Sequence, residues 1–188
     1  MTQESSVNEN NSEQDSFSFV ESEKKILNFW KENQIFEKSL EKTKNNAPYI
    51  FYDGPPFATG LPHHGHLVAS TIKDIIPRYF TMKGRYVSRR FGWDCHGLPI
   101  EQQIDKKFGM SANDYVAQNG IKAYCDACRE IVLTYTSQWE RTISRLGRWV
   151  DFENDYKTMD LDFMESVWWV FKQAWDKGLI YEGNKVVP

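Results

Sequence analysis

PPFATGLPHHGH (55–66) lies between an apolar run, PYIFY (48–52), and a helix-like run, LVASTIKDII (67–76). Proline cannot donate to a β ladder, so the strand expected over YIFYD (49–53) cannot continue through Pro55 and Pro56. Past the histidines, HLVASTIKDIIPRYFTMKG (66–84) predicts a helix, kinked or divided at Pro77 and capped at Gly84. RYVSRRF (85–91) reads as a second strand. Strand, helix and strand in that order imply a right-handed parallel βαβ unit, and hence an α/β fold.

Three imidazoles, His63, His64 and His66, stand at the mouth of that helix. Helical zinc sites place histidines four apart so that both rings share a face. No cysteine or carboxylate follows at ligand spacing either, so no metal site is expected. A phosphate cradle fits better. A strand end, a glycine-containing loop and a helix N-terminus leave backbone N–H groups free and present a dipole that favours an anion. His63 and His66 would add donors aimed at phosphate oxygens, where charge builds up in phosphoryl or nucleotidyl transfer. Gly65 would let a nucleotide ring approach the backbone. On spacing alone, a plain turn with exposed histidines is an equal reading.

A second stretch, FGWDCHGLPIE (91–101), follows the second strand and should sit at the same carboxyl edge of the sheet, where α/β proteins bind ligands. Asp94 is then an anion in a crevice lined by glycine and aromatic residues, suited to a cationic group. Taken by itself it is equally a turn aspartate.

The rest of the chain is consistent with one globular domain. It has 188 residues, 40% of them apolar, enough to bury a core. No run approaches the roughly 20 apolar residues of a membrane span, and the N-terminus lacks the order of a signal peptide. A cytoplasmic location is therefore expected, with no membrane partner. The formal charge of -3 argues against a protein that coats nucleic acid, and the first 18 residues hold four acids and no base. They read as a disordered acidic tail, followed over 19–45 by a helical segment of one helix or two short ones with Val20, Ile26, Leu27, Trp30, Ile35 and Phe36 at helical spacing. LPIEQQIDKKFG (98–109) is a short helix with proline near its start and glycine at its end. A longer one is expected over 121–146, with Ile131, Val132, Tyr135, Trp139, Ile143 and Leu146 as its core stripe. Another is expected over 160–178, where Met164, Val167, Trp168, Phe171 and Trp175 form an aromatic core stripe. LIYEGNKVV (179–187) reads as a third strand. Cys125 and Cys128 have C-x-x-C spacing but no second pair, and are expected to be an inert, partly buried thiol pair inside a helix.

Several of these stretches resemble one family. PFATGLPHHGH (56–66) resembles the H-I-G-H motif of class I aminoacyl-tRNA synthetases, with His63, His64, Gly65 and His66 as its letters. DGPPFATG (53–60), GWDCHGLPIE (92–101) and SRLGRWVDF (144–152) look like the isoleucyl enzymes of that class, and FMESVWWVFKQ (163–173) like their eukaryote-like branch. The second letter is usually apolar there; His64 departs from this and should point into the helix–sheet packing or its rim, where it needs a partner.

The resemblance implies ATP-dependent activation of isoleucine, with Mg-ATP as substrate, followed by transfer to tRNA(Ile). By position, His63 and His66 would be catalytic and bind ATP, Gly65 would admit the adenosine, Gly54 and Pro56 would line the amino-acid pocket, and Asp94 would pair with the substrate ammonium. No K-M-S-K-S loop is found, so residues 46–188 are expected to be the first half of a Rossmann-like parallel-sheet catalytic domain, stopping before the editing insertion. Such a piece alone is expected to be inactive. A truncated, non-catalytic nucleotide- or tRNA-binding module, or a valyl- or leucyl-specific synthetase, are the alternatives.

Overall fold

The computed structural model describes residues 17–57 and 59–186, so the acidic tail lies almost wholly outside the described residues. The chain divides into two compact units, residues 1–35 and 36–188. In the first, Ser18 caps helix α1 (Phe19–Glu32), its hydroxyl accepting from the Glu21 amide, and Lys24 pairs with Glu21 one turn on. The next helix, α2 (Ile35–Thr43), follows Gln34, whose φ of 50° is left-handed and cannot continue a helix. Two short helices therefore form.

In the second unit, α3 (His64–Met82) is a single 19-residue helix, and Pro77 does not divide it. The Pro77 carbonyl accepts from Arg89, which also reaches the Thr81 hydroxyl; burial pulls the Arg89 pKa down to about 10. Strand β1 (Arg90–Trp93) pairs in parallel with β2 (Asp151–Lys157), a strand that no periodic pattern announced. The register jumps between Arg90↔Asp151 and Gly92↔Tyr156, and the Arg90 guanidinium donates to the Asn154 and Asp155 carbonyls that the jump leaves over.

The strand expected over residues 49–53 is extended but carries no ladder. Among the described residues the bridges to its parallel neighbour flank it, Pro48↔Tyr86 before and Phe57↔Asp94 after, and Pro55 and Pro56 have no amide to extend pairing between them. The third strand expected at residues 179–187 does not form among the described residues.

Between the strands run α4 (Leu98–Phe108), α5 (Ala112–Asn119), α6 (Ile121–Leu133) and α7 (Thr136–Arg145). Gly109 ends α4 in the left-handed region, at φ 67°. The long helix expected over 121–146 is thus two helices, broken near Tyr135. Its Val132, Trp139 and Ile143 are buried with Phe91, Trp93 and Val150 in the main core, whereas Leu146 is exposed. Helix α8 (Leu161–Asp176) corrects a second expectation: none of its residues is buried, and Val167, Trp168, Phe171 and Trp175 face outward because no described element packs on them. Cys128 is partly buried, and desolvation raises its pKa, while Cys125 is exposed.

One glycine sets the spacing between β1 and β2. A Cβ on Gly92 would clash with the hydroxyl end of the Tyr156 ring, at Cζ, well within van der Waals contact. Gly92→Ala should destabilise the chain by about 3 kcal/mol, the upper end for overpacking, read as a lowered urea midpoint at unchanged m-value. An unchanged midpoint would mean that the Tyr156 ring swings away freely.

Candidate active site

His63 is the N-cap of α3, and its partner is His66. The His66 amide approaches His63 Nδ1 at 3.4 Å and the His63 amide approaches His66 Nδ1 at 3.2 Å, a reciprocal capping box built from two imidazoles. The rings stack with centroids 3.6 Å apart, and His66 rests on Trp139 at 4.7 Å. Each Nδ1 acts as an acceptor, so in the neutral ring the proton sits on Nε2. The hydrogen-bond network therefore assigns two Nε2–H donors directed away from the cap. Burial lowers the His66 pKa below its ordinary 6.5, with His63 and then Lys73 adding to the shift, so the ring stays neutral at neutral pH.

The amides of His64 and Gly65 have no acceptor among the described residues, as the first amides of a helix usually do not. Two free amides, two imidazole donors and the positive end of a 19-residue helix converge here, an arrangement that suits an oxyanion. His64 itself is exposed, in contrast to the packed or rim position expected for it. Gly65 has a local reason to lack a side chain: a Cβ there would stand 3.0 Å from His63 Cε1 and 3.1 Å from His63 Nδ1. It leaves room for the His63 ring whether or not a nucleotide also comes close.

The loop leading to α3 is anchored at both ends. Trp139 Nε1 donates to the Gly60 carbonyl at 2.7 Å, so the ring under His66 also holds the loop. The Asp94 amide donates to the Pro56 carbonyl at 2.9 Å, which brings Pro56 and Asp94 together across the Phe57↔Asp94 bridge. Asp94 is half-buried, and no cation pairs with its carboxylate among the described residues. Gly54, one residue before the prolines, sits against Lys73 of α3.

Behind Gly54 lies a charged cluster that the sequence reading missed. Asp53 is fully buried, with Arg148 Nη2 at 3.0 Å and Lys73 Nζ at 2.7 Å from its carboxylate oxygens. The only signal was a buried-looking arginine inside GRWV (147–150), next to apolar residues. A separate cavity of about 430 Å³ lies along residues 48–53 and is lined by Phe51, Tyr86, Arg90, Tyr156 and Phe163; it includes none of His63, His66 or Asp94. Among the described residues no cluster of three His, Cys, Asp or Glu could hold a metal ion.

Residues 25–188 match the family model described as tRNA synthetases class I (I, L, M and V). The chain is 59% identical over 172 residues to the isoleucine--tRNA ligase, cytoplasmic, of Arabidopsis thaliana, covering 92% of this chain and 14% of that one. It is 60% identical over 171 residues to the isoleucine--tRNA ligase of Protochlamydia amoebophila, covering 91% and 16%. To the cytoplasmic isoleucine--tRNA ligase of Saccharomyces cerevisiae it is 58% identical over 172 residues, covering 92% and 16%. The chain thus spans 14–16% of the length of these curated relatives. Among solved structures, the Agrobacterium radiobacter K84 agnB2 LeuRS, in a ternary complex with tRNA and LeuAMS, matches with a TM-score of 0.58 at 21% identity. That alignment covers 85% of this chain and 18% of the LeuRS, a likeness of fold.

Proposed function

This chain belongs to the class I tRNA synthetases (I, L, M and V), whose Rossmann-like parallel-sheet fold it carries, and we propose that it serves isoleucine activation and transfer to tRNA(Ile) as the N-terminal part of a longer enzyme. In the first step a carboxylate oxygen of isoleucine attacks the α-phosphorus of Mg-ATP. The bond to pyrophosphate breaks, and isoleucyl-adenylate forms. A hydroxyl of the terminal ribose of the tRNA then attacks the acyl carbon, the acyl–phosphate bond breaks, and AMP leaves as the ester forms and the hydroxyl proton is released.

The observation that carries this reading is the mutual capping of His63 and His66. Both Nδ1 atoms are committed to the helix end, so both Nε2–H groups are free to donate to phosphate oxygens as negative charge grows on them. Gly65 keeps the His63 ring in place and leaves the backbone open to the adenosine. Gly54 and Pro56 line the amino-acid pocket, and the Asp94 carboxylate receives the substrate ammonium. Residues 19–45 act as a helical lead-in and residues 46–188 as the first half of the catalytic domain, with the acidic tail of residues 1–18 before them. The enzyme works in the cytoplasm; two of the similar isoleucine--tRNA ligases are named as cytoplasmic, and no helix among the described residues is long and apolar enough to cross a membrane.

ATP–pyrophosphate exchange by the complete enzyme, run with isoleucine, valine and leucine separately, tests the assignment. Isoleucine should support exchange at the highest kcat/KM. A preference for valine or leucine would move the enzyme to a sibling specificity, and no exchange with any of the three would leave a binding module.

A further inference from the structure

Along α3, His66, Ser70, Lys73 and Pro77 recur at helical spacing and so share one stripe. Val68, Ile72, Ile75 and Tyr79 are exposed elsewhere on the helix, so the stripe that enters the molecule is partly polar. Ser70 is buried and meets Arg148 Nη1 at 3.5 Å. Lys73 reaches further. Its ammonium pairs with Asp53 Oδ1 at 2.7 Å and donates to the Gly54 carbonyl at 2.6 Å. From β2, the Tyr156 hydroxyl donates to the neighbouring Asp53 carbonyl at 2.5 Å.

Two successive carbonyls and the carboxylate between them are therefore each held by a donor from outside the segment. Residues 49–53 need this, because their bridges lie only at the two ends and nothing in a ladder fixes the peptide planes between. Arg148, with a side chain only 2% exposed, already supplies the counter-charge that a buried carboxylate requires. Lys73 is a second cation on the same carboxylate, and its side chain is 26% exposed. Charge balance does not call for it. Its distinctive contact is the bridge from Asp53 to the Gly54 carbonyl, one residue before the two prolines.

We propose that Lys73 is a positioning residue for the amino-acid pocket: by clamping Asp53 to the Gly54 carbonyl it holds the turn through Pro56 at a fixed distance from Asp94. This rests on the reading of Gly54, Pro56 and Asp94 as the amino-acid site. A small displacement of a substrate-positioning turn is enough to cost a binding step heavily.

The test is pyrophosphate exchange by the complete enzyme, using whichever amino acid it activates best, so that an error in the isoleucine assignment does not blur the result. Lys73→Gln should raise the KM for the amino acid about tenfold, with kcat and the KM for ATP within about twofold of the parent. Tyr156→Phe, which removes one hydroxyl and keeps the ring against Gly92, should raise the same KM by a smaller factor and provides the reading if Lys73→Gln does not fold. Arg78→Gln is the control on the same helix. It loses the Asp74 ion pair and the Gly147 carbonyl contact, and should lower Tm without moving the amino-acid KM. An equal KM rise in Arg78→Gln, or a folded Lys73→Gln with an unchanged amino-acid KM, would overturn the proposal.

Discussion

His66→Ala in the complete enzyme should slow adenylate formation by about 10²–10³ while changing isoleucine affinity little, as for other lost transition-state donors. The capping box explains why the effect is large. Removing His66 takes away its own Nε2–H and also the acceptor for the His63 amide, along with the ring stacked on His63. His63 keeps the backbone amide of residue 66 at its Nδ1 but loses the ring that holds its plane. The pH profile adds a second readout with a defined sign. Because burial holds the His66 pKa below 6.5, the neutral ring persists across neutral pH, and the rate should fall only as acid protonates Nδ1 and breaks the cap. Single-turnover rates against pH, with isoleucine Kd measured in parallel, check both parts. A weakened Kd with an intact rate would move His66 from the phosphates to the amino acid.

Asp94→Asn should raise the Kd for isoleucine about thirtyfold or more, since removing one partner of a desolvated charge pair costs roughly 2–5 kcal/mol. Asp94 is half-buried and has no cation of its own among the described residues, so an incoming ammonium meets an uncommitted carboxylate. Valine carries the same ammonium and should weaken by the same factor. The two amino acids differ by one methylene, for which binding offers only about 1–3 kcal/mol, isoleucyl-tRNA synthetases themselves being the standard illustration of that limit. Equilibrium binding of both amino acids to the variant decides the matter. A tenfold change in the isoleucine-to-valine ratio would mean that Asp94 shapes the side-chain pocket and does not hold the ammonium.

What could be read from the residues alone was local. Helix α3 begins where the histidines stand, α4 runs from Leu98 to Phe108 with Pro99 in its first turn and Gly109 as its cap, and the chain is α/β with parallel neighbours, because caps, prolines, glycines and apolar periods act within a turn or two of themselves. The places of His63, Gly65 and His66 at a helix mouth were legible for the same reason. Their reciprocal capping was not, since the capping box is usually a Ser or Thr answered by a Glu or Gln, and two imidazoles do not announce it. Tertiary structure alone decided the rest. Asp53 finds Arg148 95 residues away, the Tyr156 ring occupies the space that Gly92 leaves, and β2 pairs through a register jump that no alternation of apolar residues marks. The aromatic stripe of α8 carries the same lesson in reverse: its period announces a helix face, but whether that face is covered depends on which elements pack against it. Helical spacing is written into the backbone geometry of a short segment, whereas ion-pair partners, strand register and burial arise only when distant segments meet.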